Sequence, residues 1–141
     1  MKKIAIFGST GSIGSSLLKF IKDDQKNFKI ELLTANKNYK KLIKQAKFFN
    51  VKNIVLIDYN SYLIAIKLLK NTKIKVFKNF DTLNKIFNIN NKIDYSMCAI
   101  SGFQGLKPTL DIIKFTKYYF YNNYYIANFP IGRFIYFISK T

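Results

Sequence analysis

Short apolar runs alternate along the chain with segments in which apolar residues recur every three or four positions. The runs predict buried strands at residues 4–7, 30–34, 54–57, 74–77 and 95–100, with 124–127 as a candidate last strand. The periodic segments predict helices at residues 12–22, 39–49, 61–70, 81–88 and 107–114. Residues 115–125 are rich in aromatic residues and asparagine without a clear period, and residues 129–141 match neither pattern.

The regular alternation of strand and helix predicts an α/β fold built on a parallel sheet with right-handed crossovers. The predicted strands do not alternate between apolar and polar positions, which is expected when helices cover both faces of the sheet. We find no internal repeat and no linker rich in proline or serine, so a single domain is expected.

A glycine-rich loop, GSTGSIG, follows the first predicted strand and opens the first predicted helix. Gly8 allows a sharp turn, Gly11 lets backbone N–H groups approach a pyrophosphate, and Gly14 lets the helix pack close to the sheet. The helix N-terminus favours an anion, and Thr10 and Ser12 add hydroxyl donors. An ordinary tight turn is the alternative, but the flanking strand and helix favour a dinucleotide site in a Rossmann-like, doubly wound parallel sheet. A Walker-type loop is excluded because no Gly-Lys-Ser/Thr follows.

The end of the second predicted strand bears on the choice of dinucleotide. Enzymes that use NAD place an acidic residue there to bind the ribose hydroxyls, whereas residues 33–38, LTANKN, contain none. Lys37 supplies positive charge where a 2′-phosphate would bind, and Asn38 can donate hydrogen bonds. These residues favour NADP over NAD, unless Lys37 is one more lysine in a lysine-rich chain.

The formal net charge of +17 raises the question of a nucleic-acid partner. All 24 basic residues except Arg133 are lysines, and they are scattered rather than clustered. Because sequence-specific readout relies on arginine, we attribute the charge to biased codon usage and expect no specific nucleic acid. No apolar run is long enough to span a membrane. With Cys98 as the one cysteine and no histidine, a cytoplasmic location is expected.

Three motifs together resemble the N-terminal domain of the 1-deoxy-D-xylulose 5-phosphate reductoisomerase family. They are KIAIFGSTGSIG at 3–14, TANKN at 34–38 and AISGFQGLKPTLDII at 99–113. Each motif alone would also fit other NADP-dependent dehydrogenases, such as semialdehyde dehydrogenases. The resemblance extends over about residues 2–128, so residues 1–128 are expected to form an NADPH-binding domain, followed by a non-matching tail at 129–141.

The resemblance implies an oxidoreductase of isoprenoid biosynthesis. The family rearranges deoxyxylulose phosphate, reduces the intermediate with NADPH to methylerythritol phosphate, requires Mg²⁺ or Mn²⁺, and tends to form homodimers. By motif match, the contacts to the cofactor phosphates and adenosine side come from Thr10, Gly11, Ser12 and Ile13. Those around the 2′-phosphate come from Asn36, Lys37 and Asn38. Asn128 matches the asparagine of the family's Ala-Asn-Lys-Glu segment, which reaches the nicotinamide end and the substrate.

The chain departs from the family directly after Asn128. Phe129 and Pro130 stand where the family has a lysine and a glutamate, and no Asp-x-Glu metal motif follows. The acidic residues are spread along the chain, so the sequence predicts no catalytic or metal-binding residue. We therefore expect a truncated NADPH-binding part that is inactive alone and meets deoxyxylulose phosphate only if the missing half is supplied. The alternatives are a stand-alone NADP-binding module, a fragment of another NADP-dependent dehydrogenase, or a basic nucleic-acid binder.

Overall fold

The computed structural model describes residues 1–88, 90–121 and 124–127 of the chain. Its strands are β1 (Lys2–Phe7), β2 (Phe28–Ala35), β3 (Asn53–Leu56), β4 (Lys75–Phe77), β5 (Ile93–Cys98), β6 (Thr116–Tyr121) and β7 (Tyr124–Ala127). Its helices are α1 (Ser12–Asp23), α2 (Tyr39–Phe48), α3 (Tyr59–Leu69), α4 (Leu83–Ile86) and α5 (Leu106–Ile113). The expected alternation of strands and helices is confirmed.

The strands form one sheet in the order β4-β3-β2-β1-β5-β6-β7. Strands β1 to β6 are mutually parallel, whereas β7 runs antiparallel to β6. The chain builds outward from β1 in one direction through β4 and then in the other through β5 and β6. The order therefore reverses between β1 and β5, as in a doubly wound fold, and ligands bind at such a reversal.

Helices cover both faces of the sheet. Successive strand residues point to opposite faces, so Ile4 and Ile6 pack in one core while Ala5 and Phe7 pack in another. The first core also receives side chains of α1, α2 and α3, and the second receives side chains of α4 and α5. Burial on both sides explains why residues 4–7 of β1 and 54–56 of β3 are continuously apolar.

The ends of the helices follow local chemistry. The Asn38 side chain caps α2 by accepting from the Lys41 N–H at 3.1 Å, and the Asp58 side chain caps α3 by accepting from the Ser61 N–H at 2.9 Å. Pro108 lies in the first turn of α5, where its missing N–H would have no helical partner. Because of its Asp58 cap, α3 begins at Tyr59, two residues before the predicted start.

Three features differ from the sequence prediction. Strand β6 lies within residues 115–125, for which no element was predicted. The helix predicted over residues 81–88 is shorter, a single 3-10 turn at Phe80–Thr82 followed by α4. The last strand is antiparallel, although a parallel sheet was predicted. Within the described ranges, no helix has the length and apolarity needed to cross a lipid bilayer.

Candidate functional site

The glycine loop begins where β1 ends at the reversal of the sheet. Gly8 adopts a positive φ of 75°, a conformation that glycine tolerates and other residues adopt at a cost. Its N–H donates to the Thr34 hydroxyl at 3.0 Å, which joins the loop to the end of β2. A Cβ on Gly8 would lie 3.0 Å from the carbonyl oxygen of Ala99, directly after β5. The sharp turn predicted for Gly8 is confirmed, and there is little room for a side chain.

The first turn of α1 packs against this loop. A Cβ on Gly14 would lie 2.5 Å from the Gly8 carbonyl oxygen and 2.6 Å from Cα of Ser9, so the glycine predicted to bring the helix close to the sheet brings it close to the loop directly after β1. Gly11 is the N-cap of α1, and no side chain caps this helix, in contrast to α2 and α3. The first N–H groups of a helix have no helical partners, so those of α1 remain available to an anion, with the helix dipole in its favour.

An open cavity of about 400 Å³ lies beside this helix end. Its lining comes from the end of β2, from the segments that follow β1, β2, β3 and β5, and from the turn before α4. It comprises Gly8, Thr10, Gly11, Thr34, Ala35, Asn36, Ile57, Phe80, Ala99, Ile100 and Gln104. The carboxyl ends of parallel strands at a reversal of strand order are where open α/β sheets bind nucleotides. The cavity therefore lies where the glycine loop predicted a dinucleotide.

The turn after β2 lies at the rim of the cavity. Asn36, Lys37 and Asn38 are exposed there. The Lys37 carbonyl accepts from the Tyr39 N–H at 2.7 Å and from the Ser61 hydroxyl at 3.0 Å, so the backbone of the turn is held while the Lys37 side chain remains in solvent. The side-chain oxygen of Asn38 is engaged in capping α2, which leaves its amide NH₂ as the donor available to a ligand.

Asp58 places a carboxylate close to this turn. The Ser61 N–H, and then the Ser61 hydroxyl, hold the pKa of this carboxyl below its ordinary value, and the charge of Lys37 acts in the same direction. The hydroxyl has one hydrogen, which is shared between the Asp58 carboxylate at 2.8 Å and the Lys37 carbonyl at 3.0 Å. The backbone also links Asp58 to the turn after β2, because the Asp58 N–H donates to the Asn36 carbonyl at 3.1 Å. Asp58 therefore fixes the turn that presents Lys37. Sequence reasoning missed it because it follows a different strand.

The predicted site residues fall into two adjoining groups. Gly8, Thr10, Gly11 and Asn36 line the cavity. Apart from Asn128, the other predicted residues lie in the first turn of α1 or in the turn after β2, and comprise Ser12, Ile13, Gly14, Lys37 and Asn38. Sequence reasoning missed Thr34, Ala99, Ile100 and Gln104 as lining residues. The last three belong to the 99–113 motif, which is the feature of the sequence that could have pointed to them.

Asn128, predicted to reach the nicotinamide end, lies outside the described residues. The strand before it, β7, is antiparallel, with Tyr124 paired to Tyr121 and Ala127 paired to Tyr118. Tyr121 is level with Cys98 and hence with Phe7 at the cavity edge. Strand β7 thus runs away from that edge, and the contact of Asn128 with the nicotinamide end stays a prediction.

Metal ligands do not converge anywhere in the part of the chain that the structure describes. No group of three cysteine, aspartate or glutamate side chains comes together there, whereas a hard divalent cation needs several oxygen ligands. The described residues therefore do not fit the divalent metal that the family resemblance implies.

The family model for 1-deoxy-D-xylulose 5-phosphate reductoisomerase matches residues 4–123 of the chain. The chain belongs to this family. A reductoisomerase from Pelagibacter ubique is 86% identical over 117 residues, a match that covers 83% of the chain and 30% of that protein. The chain thus spans about 30% of the length of the curated reductoisomerases it matches.

Solved reductoisomerases share the fold. The Zymomonas mobilis enzyme in complex with NADPH superimposes with a TM-score of 0.71 at 33% identity, covering 80% of the chain and 29% of the enzyme. A reductoisomerase in complex with NADPH, fosmidomycin and magnesium gives a TM-score of 0.72 at 26% identity, covering 80% and 28%. The range matched by the family model ends at residue 123, so the correspondence of Asn128 with the family rests on its short motif alone.

Proposed function

We propose that this chain is the NADPH-binding part of a 1-deoxy-D-xylulose 5-phosphate reductoisomerase and that it serves isoprenoid biosynthesis in the cytoplasm. The observation that carries the proposal is the cavity, which Gly8, Thr10, Gly11 and Asn36 line together. It brings the uncapped start of α1 and the turn that bears Lys37 to the rim of one space. A solved family member holds NADPH, which supports the same ligand here.

In this proposal the pyrophosphate binds at the start of α1. Gly11 carries no side chain, and a Cβ there would meet the Gly8 carbonyl oxygen at 3.4 Å, an ordinary contact distance. The fold itself therefore does not exclude a side chain at Gly11, and its absence keeps the N–H groups of Ser12 and Ile13 accessible. Backbone N–H groups and the helix dipole then offset the phosphate charge.

The adenosine ribose lies toward the turn after β2, where Lys37 and the amide of Asn38 surround its 2′-phosphate. A lysine ammonium attracts a phosphate as a point charge and has no comparable partner in the 2′-hydroxyl of NADH. Asp58 and Ser61 hold the Lys37 backbone in place. NADPH supplies a hydride when it is bound, and the described residues bind and orient this cofactor.

The experiment is a titration of chain 1–141 with NADPH and with NADH, in which binding is measured by calorimetry or by the fluorescence of the nicotinamide. We expect NADPH to bind at least about tenfold more tightly, since a charged hydrogen bond is worth about 1.5–3 kcal/mol. Equal affinity for the two would contradict the role of Lys37. Failure to bind either would overturn the proposed function.

Reaction with deoxyxylulose phosphate is a separate measurement. The described residues include no converging metal ligands, and we propose that the groups that rearrange and reduce the substrate are not among them. Chain 1–141 is therefore expected to bind NADPH without consuming it when deoxyxylulose phosphate and Mg²⁺ are added. Steady oxidation of NADPH in that mixture, absent without substrate, would contradict this part of the proposal.

A further inference from the structure

Two side chains of α2 reach across to the glycine loop. The Lys41 ammonium donates to the Thr10 carbonyl at 2.8 Å and to the Ser15 hydroxyl at 2.7 Å. One helical turn further on, the Gln45 amide donates to the Ser9 carbonyl at 3.0 Å, and the Ser9 hydroxyl donates back to the Gln45 side-chain oxygen at 2.8 Å. Two consecutive carbonyls of the loop are thus drawn toward α2.

The direction of these carbonyls fixes the direction of the loop N–H groups. In a trans peptide the C=O and the following N–H point in opposite directions, and the structure contains no cis peptide among its described residues. With the Ser9 carbonyl held toward Gln45, the Thr10 N–H is directed away from α2. Thr10 lies on the lining of the cavity, so its N–H is one of the donors that a phosphate would use.

Lys41 also adds charge at this place. Its side chain is only half-buried, and its ammonium bonds Thr10, which precedes the N-cap of α1, and Ser15, which follows it. A cation at the start of a helix is unfavourable by itself because it opposes the positive end of the helix dipole. An anion bound at the helix start would relieve that opposition.

We propose that Lys41 and Gln45 are positioning residues for the pyrophosphate. Gln45 holds the Ser9 carbonyl so that the Thr10 N–H faces the ligand. Lys41 holds the Thr10 carbonyl, whose peptide N–H at Gly11 donates to the Gly8 carbonyl at 3.1 Å, so Lys41 fixes the turn and adds attraction from behind the loop. This inference rests on the proposed NADPH-binding function. It attributes part of the affinity for NADPH to α2, whose sequence carries no phosphate-binding motif.

The test compares two probes that share the 2′-phosphate and differ in the pyrophosphate. NADPH carries both groups, whereas 2′-AMP carries only the 2′-phosphate next to adenosine. Replacing Lys41 by methionine keeps the length of the side chain and removes its charge and donors. We expect Lys41→Met to weaken NADPH about fivefold, because a charge near a helix start is worth up to about 1 kcal/mol, and to leave 2′-AMP within about twofold.

Lys44→Met is the matched control, since it removes the same charge from an exposed position on α2. It should leave both affinities unchanged, and Lys41→Arg should recover most of the affinity for NADPH. The affinity lost in Lys41→Met should also shrink as salt is raised, because charge attraction is screened. If Lys41→Met does not fold, the affinities of Gln45→Glu for NADPH and 2′-AMP are compared instead. This variant loses the amide that donates to the Ser9 carbonyl and keeps an oxygen that accepts from the Ser9 hydroxyl.

The outcomes separate the two proposals. If unsubstituted chain 1–141 binds both probes and Lys41→Met changes neither, or weakens both equally, the positioning role is overturned while the proposed function stands. If the unsubstituted chain binds neither probe, the proposed function fails and the positioning role fails with it. Selective loss of NADPH affinity supports the inference.

Discussion

A Cβ on Gly14 would lie 2.5 Å from the carbonyl oxygen of Gly8, closer than non-bonded atoms approach in proteins. The nearest atoms belong to the backbone, so a side chain at position 14 forces the helix and the loop apart. Gly14→Ala is expected to lower the free energy of unfolding by about 2 kcal/mol, within the range for overpacked sites, and to weaken NADPH. Urea denaturation and cofactor titration measure the two effects, and unchanged stability would contradict the tight packing.

Gly11→Ser is the matched substitution in the same loop. Gly11 is the N-cap of α1, with φ of −73°, and serine is favoured over glycine at this position. The serine hydroxyl would accept the N–H groups that we assign to the pyrophosphate. We expect stability equal to or above that of the unsubstituted chain and NADPH affinity several-fold lower. Affinity that is unchanged or higher would argue against a phosphate at the start of α1.

Gly8 and Gly102 allow a comparison of backbone strain with crowding. Both have positive φ, 75° and 69°, but a Cβ on Gly102 would meet nothing within 4 Å, whereas one on Gly8 would meet Ala99. Gly102 has ψ of −164°, a conformation that essentially only glycine adopts, so Gly102→Ala should cost about 1–3 kcal/mol of stability through backbone conformation alone. Gly8→Ala adds crowding against the Ala99 backbone to its own positive φ and should cost at least as much. A smaller loss for Gly8→Ala in urea denaturation would show that the contact with Ala99 has little energetic effect.

Lys37→Ala tests the choice of cofactor. The loss should fall on NADPH and leave NADH nearly unchanged, so that the ratio of the two affinities shrinks about tenfold, as expected for a lost contact to phosphate. Lys26→Ala removes the same charge from the segment between α1 and β2, at the opposite edge of the sheet, and should leave the ratio unchanged. A similar change in both variants would mean that net charge, rather than the turn, attracts the 2′-phosphate.

Asp58 is expected to make stability depend on pH in the acid range. The pKa of Asp58 is lower in the folded chain than its ordinary value of 3.8, chiefly because the Ser61 N–H donates to the carboxylate. A carboxyl whose pKa is lowered by folding stabilises the fold at pH values above its ordinary pKa. This contribution is lost as the pH falls through the pKa of the folded state. The Tm of Asp58→Asn should therefore lie below that of the unsubstituted chain at neutral pH. The difference should close well below pH 3.8, and a constant difference would contradict this role.

Strand β6 shows where the sequence pattern loses its power. Residues 116–121, TKYYFY, are mostly aromatic, so neither alternation nor a helical period distinguishes one face. The strand is defined by its pairing with β5, where Ile93 faces Thr116 and Cys98 faces Tyr121. Such pairing depends on a distant segment, which a local pattern does not report. The antiparallel direction of β7 is likewise set by its partner.

The sequence by itself determined the glycine loop, the turn at residues 36–38 and the order of most strands and helices. These features depend on local requirements: a positive φ at Gly8, a cap at Asn38 and apolar residues at the spacing of each element. Only the tertiary structure placed Lys41 on Thr10, Gln45 on Ser9 and Ser61 on Lys37. These contacts join residues 31, 36 and 24 positions apart, and they form because parallel strands bring their carboxyl ends, and the helices that follow, to one edge of the sheet.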